Sequence, residues 1–255
     1  MRRSPWHVRP PSASSVEPEL WPGIETKAEA EARNEERADA LQSRVPQVAR
    51  KLFWCDGIDQ PCELPVCAVC SRRYRIEVYP QLEEIAASCK GPHQIATIYL
   101  DHFPAGRLVT ANLKREHDFL RQRFNRADLT GSIFVGGTEA AWQARHQRWL
   151  LHAHLLAIGV PKAAWDKLDD TWADSGTDDP IQPVELCDPA EQLSYLVKFH
   201  TYHKPGQSRA NRRARAYPLP PDRLAELATW SSQYRFQDFL FVYGKQKRGR
   251  QIVAR

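Results

Sequence analysis

Two features that would place this chain at a membrane are missing from it. There is no apolar run of bilayer length and no N-terminal apolar signal segment. A cytoplasmic setting with reduced thiols and no membrane partner is therefore expected. Internal repeats are also absent, which excludes a solenoid or a propeller. Acidic residues become scarce towards the end. From residue 204 to 255, twelve lysines and arginines meet only Asp222, Glu226 and Asp238, leaving +9 there and −4 on the rest of a chain of net +5. The densest basic clusters are residues 208–216 and 245–250. Cations massed on one segment fit a polyanion such as DNA, or simply a solvated surface. Tyr202, Tyr217, Trp230 and Tyr234 lie in or beside this segment, where rings can stack on unpaired bases, while some of the four are expected to belong to the core.

Cysteine is sparse too, but it is clustered. Of six cysteines, four form the spacing Cys55-x6-Cys62-x4-Cys67-x2-Cys70. A Cys-x-x-Cys knuckle with two more thiolates upstream can close a tetrahedral zinc site. The rival is a redox dithiol at Cys67 and Cys70, but no thioredoxin-like βαβ pattern surrounds them. Cys89 and Cys187 stand apart and read as small buried residues.

The most informative stretch is Trp149 to Gly159, which contains His152-Ala153-His154. Alternate side chains of a strand share a face, so the two imidazoles point together while Ala153 points away. The flanking run is apolar at both parities, so the strand is expected to be covered on both sides. Two histidines placed there either bond to ordinary neighbours or hold a metal. Upstream, Gly131–Glu139 reads as a strand ending in a carboxylate. The short polar connection Gln143–Arg148 predicts an antiparallel pairing that brings Glu139 towards the histidines. Glu139 is then either the third ligand of a two-imidazole, one-carboxylate site or a surface glutamate.

Downstream, Asp188, Pro189 and Glu191 supply an N-cap, a first-turn proline and a capping-box acid. The helix they start carries Tyr195 and Lys198 three apart on one face. A tyrosine is a poor nucleophile at its free pKa of about 10 and needs a nearby cation. Lys198 can serve a tyrosinate or a phosphate, or be the snorkelling lysine of an ordinary amphipathic helix.

The order of these pieces resembles the HUH endonuclease superfamily, and within it the plasmid rolling-circle replication initiators. The resemblance covers roughly residues 50 to 205. It implies that His152, His154 and Glu139 hold a divalent Mg or Mn ion. It also implies that Tyr195 cuts one DNA strand and stays joined to the 5′ phosphate, with Lys198 as the motif lysine. Cysteines followed by basic residues, as Arg72, Arg73 and Arg75 are here, occur in a similar place in that family. The chain departs from many of these initiators at Leu150, where they have a further histidine. The implied activity is site-specific nicking and joining of single-stranded or hairpin DNA, with a helicase or other replication protein as a further partner. Tyr202, seven residues beyond Tyr195, is a second candidate nucleophile if the helix reaches it. Three alternatives stay open: an HUH transposase or relaxase-like protein, a zinc hydrolase using the same ligands, and a zinc-containing DNA-binding protein that does not cut.

The expected organisation is a flexible arm (1–47), a cysteine-rich zinc knuckle with a helix (48–90), the nuclease core (91–205) and a basic C-terminal extension (206–255). Glu25–Leu41, rich in Ala, Glu and Arg without a clear apolar stripe, is expected to be at most a solvated helix. His93–Asp101 reads as the first core strand, Leu113–Phe124 and Pro161–Trp172 as helices, and Phe239–Tyr243 as an edge strand. The fold class is α+β, a mainly antiparallel sheet with helices on one face. The resemblance narrows this to a ferredoxin-like or RNA-recognition-like palm.

Overall fold

The computed structural model describes residues 23–57, 59–172, 180–199, 202–203, 217–248 and 251–253. Its helices are α1 (Lys27–Leu41), α2 (Pro46–Phe53), α3 (Ala68–Ser88), α4 (Leu113–Arg126), α5 (Lys162–Asp170), α6 (Pro189–Tyr195), α7 (Pro221–Ser231) and α8 (Phe236–Phe239). The strands are β1 (His93–Pro104), β2 (Ile133–Gln143), β3 (Arg148–Ile158), β4 (Ile181–Glu185), β5 (Tyr202–His203), β6 (Tyr217–Pro218), β7 (Leu240–Tyr243), β8 (Gln246–Arg248) and β9 (Gln251–Val253).

Among the described residues the main sheet has the order β4-β1-β3-β2-β7, and each of its pairings is antiparallel. The class is α+β, as the pattern of elements predicts. The expected hairpin is present: β2 and β3 pair from Ile133↔Ile158 to Gln143↔Arg148. Gln147 takes the left-handed conformation (φ 49°) that closes its turn.

Helices cover both faces of the sheet, not one. Ala153, Leu155 and Ala157 of β3 pack with Phe134 and Phe241 against Leu120 and Phe124 of α4 and Trp165 and Leu168 of α5. On the other parity, Leu156, Ile95, Val135 and Val242 join a larger core with Val78 and Leu82 of α3 and Leu193 of α6. The central strand is apolar at both parities, so each face must be shielded from water. His152 and His154 belong to the second face, under α6.

Three further expectations need correction. The segment read as a solvated helix is α1, and it buries Ala30, Asn34, Ala38 and Leu41. Small side chains at helical spacing let it lie close on α2 and α3, where the Asn34 amide donates to the Leu52 carbonyl at 2.6 Å. The C-terminal extension is more than a basic tail: Trp230 and Phe241 are fully buried, and β7 is the edge strand expected at Phe239–Tyr243. Trp230 Nε1 and the Tyr234 hydroxyl both donate to the Ala111 carbonyl, at 3.0 and 2.8 Å, so Trp230 is not a base-stacking ring. Tyr217 is exposed. The arm up to residue 22, most of the 208–216 basic cluster's surroundings and residues 249–250 lie outside the described residues, as does 208–216 itself. Among the described residues no helix is long and apolar enough to cross a membrane.

Candidate metal centre and nucleophile

Register decides the first cluster. β3 sits between β1 and β2, which pairs His152 with Glu139 and His154 with both Gly137 and Thr97. Glu139 is therefore in the middle of its strand, not at its end, and it is buried rather than on the surface. Its Oε1 lies 2.8 Å from His152 Nε2 and 2.9 Å from His154 Nε2, and the two Nε2 atoms are 3.0 Å apart. The remaining ring nitrogens are held from behind. His154 Nδ1 bonds the Thr97 hydroxyl at 2.9 Å, and His152 Nδ1 meets the Leu150 carbonyl at 3.4 Å. A proton on Nδ1 of His152, required to donate to that carbonyl, leaves Nε2 with its lone pair facing the cluster.

Burial lowers the His152 pKa to about 4 and also holds that of His154 well below its ordinary value, with the His152 charge as a second cause for His154. Both rings are accordingly neutral near pH 7, the form that binds metal. Two inward nitrogens and a carboxylate oxygen in van der Waals contact form a site that can hold a cation.

The second cluster is made of sulfur. Cys55 and Cys70 Sγ are 3.4 Å apart, Cys55 and Cys67 3.6 Å, and Cys62 and Cys70 3.8 Å, and none of the four is in a disulfide. Four sulfurs at 2.3 Å from a tetrahedral zinc stand about 3.8 Å apart, so the donor set and its spacing fit that ion. The thiols of Cys62, Cys67 and Cys70 donate to Cys55 and lower its pKa, while the same contacts and burial raise Cys62 and Cys67. One thiolate is thus favoured at a time, and four require a cation among them. Cys67 is also the N-cap of α3, its sulfur accepting from the Cys70 amide at 3.4 Å. Of the other two, Cys89 is half-buried and Cys187 exposed, so neither is the buried residue expected.

Tyr195 stands beside the first cluster. Its ring meets that of His154 edge to face, with centroids 5.2 Å apart, and 42% of the residue remains exposed. Partial burial raises its phenol above the ordinary value. Lys198 places Nζ 5.9 Å from the Tyr195 ring centroid, and burial followed by the Arg75 charge lowers its pKa. The two do not share a helix as expected. α6 ends at Tyr195, and the Lys198 amide returns to the Tyr195 carbonyl at 3.2 Å in a turn. The stop also separates Tyr202, which lies in β5 and not at a helical i+7 position.

One contributor, Gly137, went unnoticed in the sequence, and two arginines were misread. Gly137 donates its amide to the Leu196 carbonyl at 2.7 Å, docking the chain just past Tyr195 onto β2. A Gly-Gly pair inside a strand is the signal for such a close backbone approach. Arg72 and Arg75, read only as basic followers of the cysteines, turn inward and are buried.

Comparison with known proteins gave no match: no family model, curated protein or solved structure is significantly similar to this chain.

Proposed function

We propose that this protein is a metal-dependent, single-stranded DNA endonuclease and strand transferase with Tyr195 as nucleophile. One observation carries the reading: an exposed tyrosine ring packs directly on one imidazole of a buried His-His-Glu cluster. Tyr195 Oη would form a bond to phosphorus while the P–O3′ bond breaks. The phenolic proton goes to water, the departing 3′ oxygen takes one from water, and the 5′ phosphate stays on the tyrosine. Lys198 would hold the phosphate or the tyrosinate. His152, His154 and Glu139 would hold Mg or Mn, which supplies positive charge against the scissile phosphate when bound. Two imidazoles and a carboxylate suit zinc as well; it is the resemblance to the HUH endonucleases that implies Mg or Mn. Cys55, Cys62, Cys67 and Cys70 would hold a structural zinc.

The order of these pieces resembles the HUH endonucleases, with rolling-circle initiation as the process, single-stranded or hairpin DNA as substrate, and a cytoplasmic setting. A ferredoxin-like or RNA-recognition-like palm belongs to the same reading. The test is incubation of the protein with single-stranded DNA and manganese. A covalent adduct mapped to Tyr195, absent in Tyr195→Phe, is expected. Cleavage without an adduct would make the protein a hydrolase, and binding without cleavage would leave it a DNA-binding protein.

A further inference from the structure

α3 carries an arginine in a place where a charge is expensive. Arg75 is 1% exposed and is among the largest fully buried side chains. A guanidinium removed from water costs several kcal/mol unless its N–H groups are paired. Here they are paired, and the partners are informative. Nη2 donates to the Gly23 carbonyl at 2.6 Å, and Nη1 pairs with the Glu25 carboxylate. Nη2 and Nε also reach the Ser194 carbonyl at 3.2 and 3.4 Å.

Ser194 is the residue before Tyr195. Because α6 stops at Tyr195, the Ser194 carbonyl is one of the last-turn carbonyls that have no partner within the helix. A cation at a helix C-terminus is also favoured by the dipole. The surroundings are tight. Ser194 is 1% exposed, and its hydroxyl donates to the Glu191 carbonyl at 2.7 Å. Gly23 (φ +66°) approaches so closely that an added Cβ would lie 2.2 Å from Ser194 Oγ. One turn earlier on α3, Arg72 Nε donates to the Glu25 carbonyl at 2.8 Å, holding the same segment.

We propose that Arg75 is a positioning residue for Tyr195, its buried fork gripping the carbonyl before the tyrosine and so setting where the phenol stands against the histidine pair. The chain is then held on both sides of Tyr195: Ser194 by Arg75, and Leu196 by the Gly137 amide. A lysine is a poor replacement. Its single ammonium cannot span the Gly23 carbonyl, the Ser194 carbonyl and the Glu25 carboxylate in one plane. Burial first, and the Arg75 charge second, lower the Lys198 pKa. This inference rests on the proposed role of Tyr195, so its test needs a readout that does not depend on nicking.

That readout is the fluorine resonance of 3-fluorotyrosine placed at position 195 of the full chain. A ring held edge to face on His154 should give one line shifted from that of an exposed tyrosine. Arg75→Met should move or broaden that line. Glu25→Gln, which keeps the guanidinium and its carbonyl partners, should do so less, and it serves as the second variant if Arg75→Met folds poorly. In single-turnover nicking with manganese, Arg75→Met should form the adduct at least about tenfold more slowly, with DNA affinity unchanged and partial rescue by Arg75→Lys. Phe124→Leu is the control for lost stability, since Phe124 is buried on the opposite face of the sheet. An unchanged resonance in both Arg75→Met and Glu25→Gln would overturn the inference. So would the same shift and rate loss in Phe124→Leu. If the wild type forms no adduct but Arg75→Met still moves the resonance, Arg75 positions the ring and it is the nuclease reading that fails.

Discussion

Gly137→Ala adds one methyl group where the chain after Tyr195 is seated. The new Cβ would stand 2.5 Å from the Leu196 carbonyl oxygen and 3.3 Å from Val197 Cα. An ordinary contact is nearer 3.4 Å, so the Leu196 segment must retreat by about 1 Å or β2 must bend. The 2.7 Å hydrogen bond from the Gly137 amide is strained by the same movement. Overpacking of this kind costs about 1–3 kcal/mol, and a weakened hydrogen bond adds to it. A loss of about 2 kcal/mol lowers Tm by roughly 4–8 °C in a chain of this size. The fold should survive, but Tyr195 and Lys198 flank the displaced segment. A misplacement of about 1 Å can cost on the order of 100-fold in rate. The assay is single-turnover adduct formation on a DNA oligonucleotide, with manganese affinity measured alongside, because the histidines and Glu139 are not displaced directly. Wild-type adduct formation in a folded Gly137→Ala protein would refute the claim that this docking sets the tyrosine. Gly136→Ala provides the contrast: its Cβ would meet the His154 carbonyl of β3 at 2.0 Å, which disrupts the sheet and should abolish soluble protein.

Cys67→Ser should act on folding, since a structural metal contributes binding free energy to the native state and Cys67 also caps α3. Bound zinc and Tm are expected to fall together, and unchanged values of both would remove the cysteines as ligands. Manganese affinity should be nearly flat from pH 7 down to pH 5.5. Burial lowers the His152 pKa to about 4 and that of His154 well below its ordinary value, so both rings stay neutral over that interval. Two histidines of ordinary pKa would lose affinity about 70-fold over that interval, and a calorimetric titration that finds such a loss would contradict the burial argument. Replacing both histidines with alanine should abolish manganese binding and nicking, while DNA affinity, assigned to the basic segment, is largely kept. A double variant that cuts at the wild-type rate would sink the metal assignment.

Local rules were enough for much of this protein. Period-two alternation put His152 and His154 on one face, cap chemistry started α6 at Asp188, and a short polar link joined β2 to β3 in register with Glu139. The cysteine spacing paired Cys67 and Cys70 because one caps α3 and the other lies in its first turn, and Cys55 and Cys62 meet them from the chain just before that helix. Each of these signals lies within a few residues of its partner, so it is written in the order of the chain. What the sequence could not convey depends on distant partners. α1 carries a weak pattern because alanines suffice where another helix lies close, and closeness is a property of the neighbour. Apolarity at both parities of β3 did announce that both of its faces are covered, but which helices cover them depends on where α3, α4, α5 and α6 dock. The basic character of Arg75 was plain, but its direction was not. It points inward because the Ser194 and Gly23 carbonyls, over 50 residues away along the chain in the nearer case, need a buried donor that only packing brings to them.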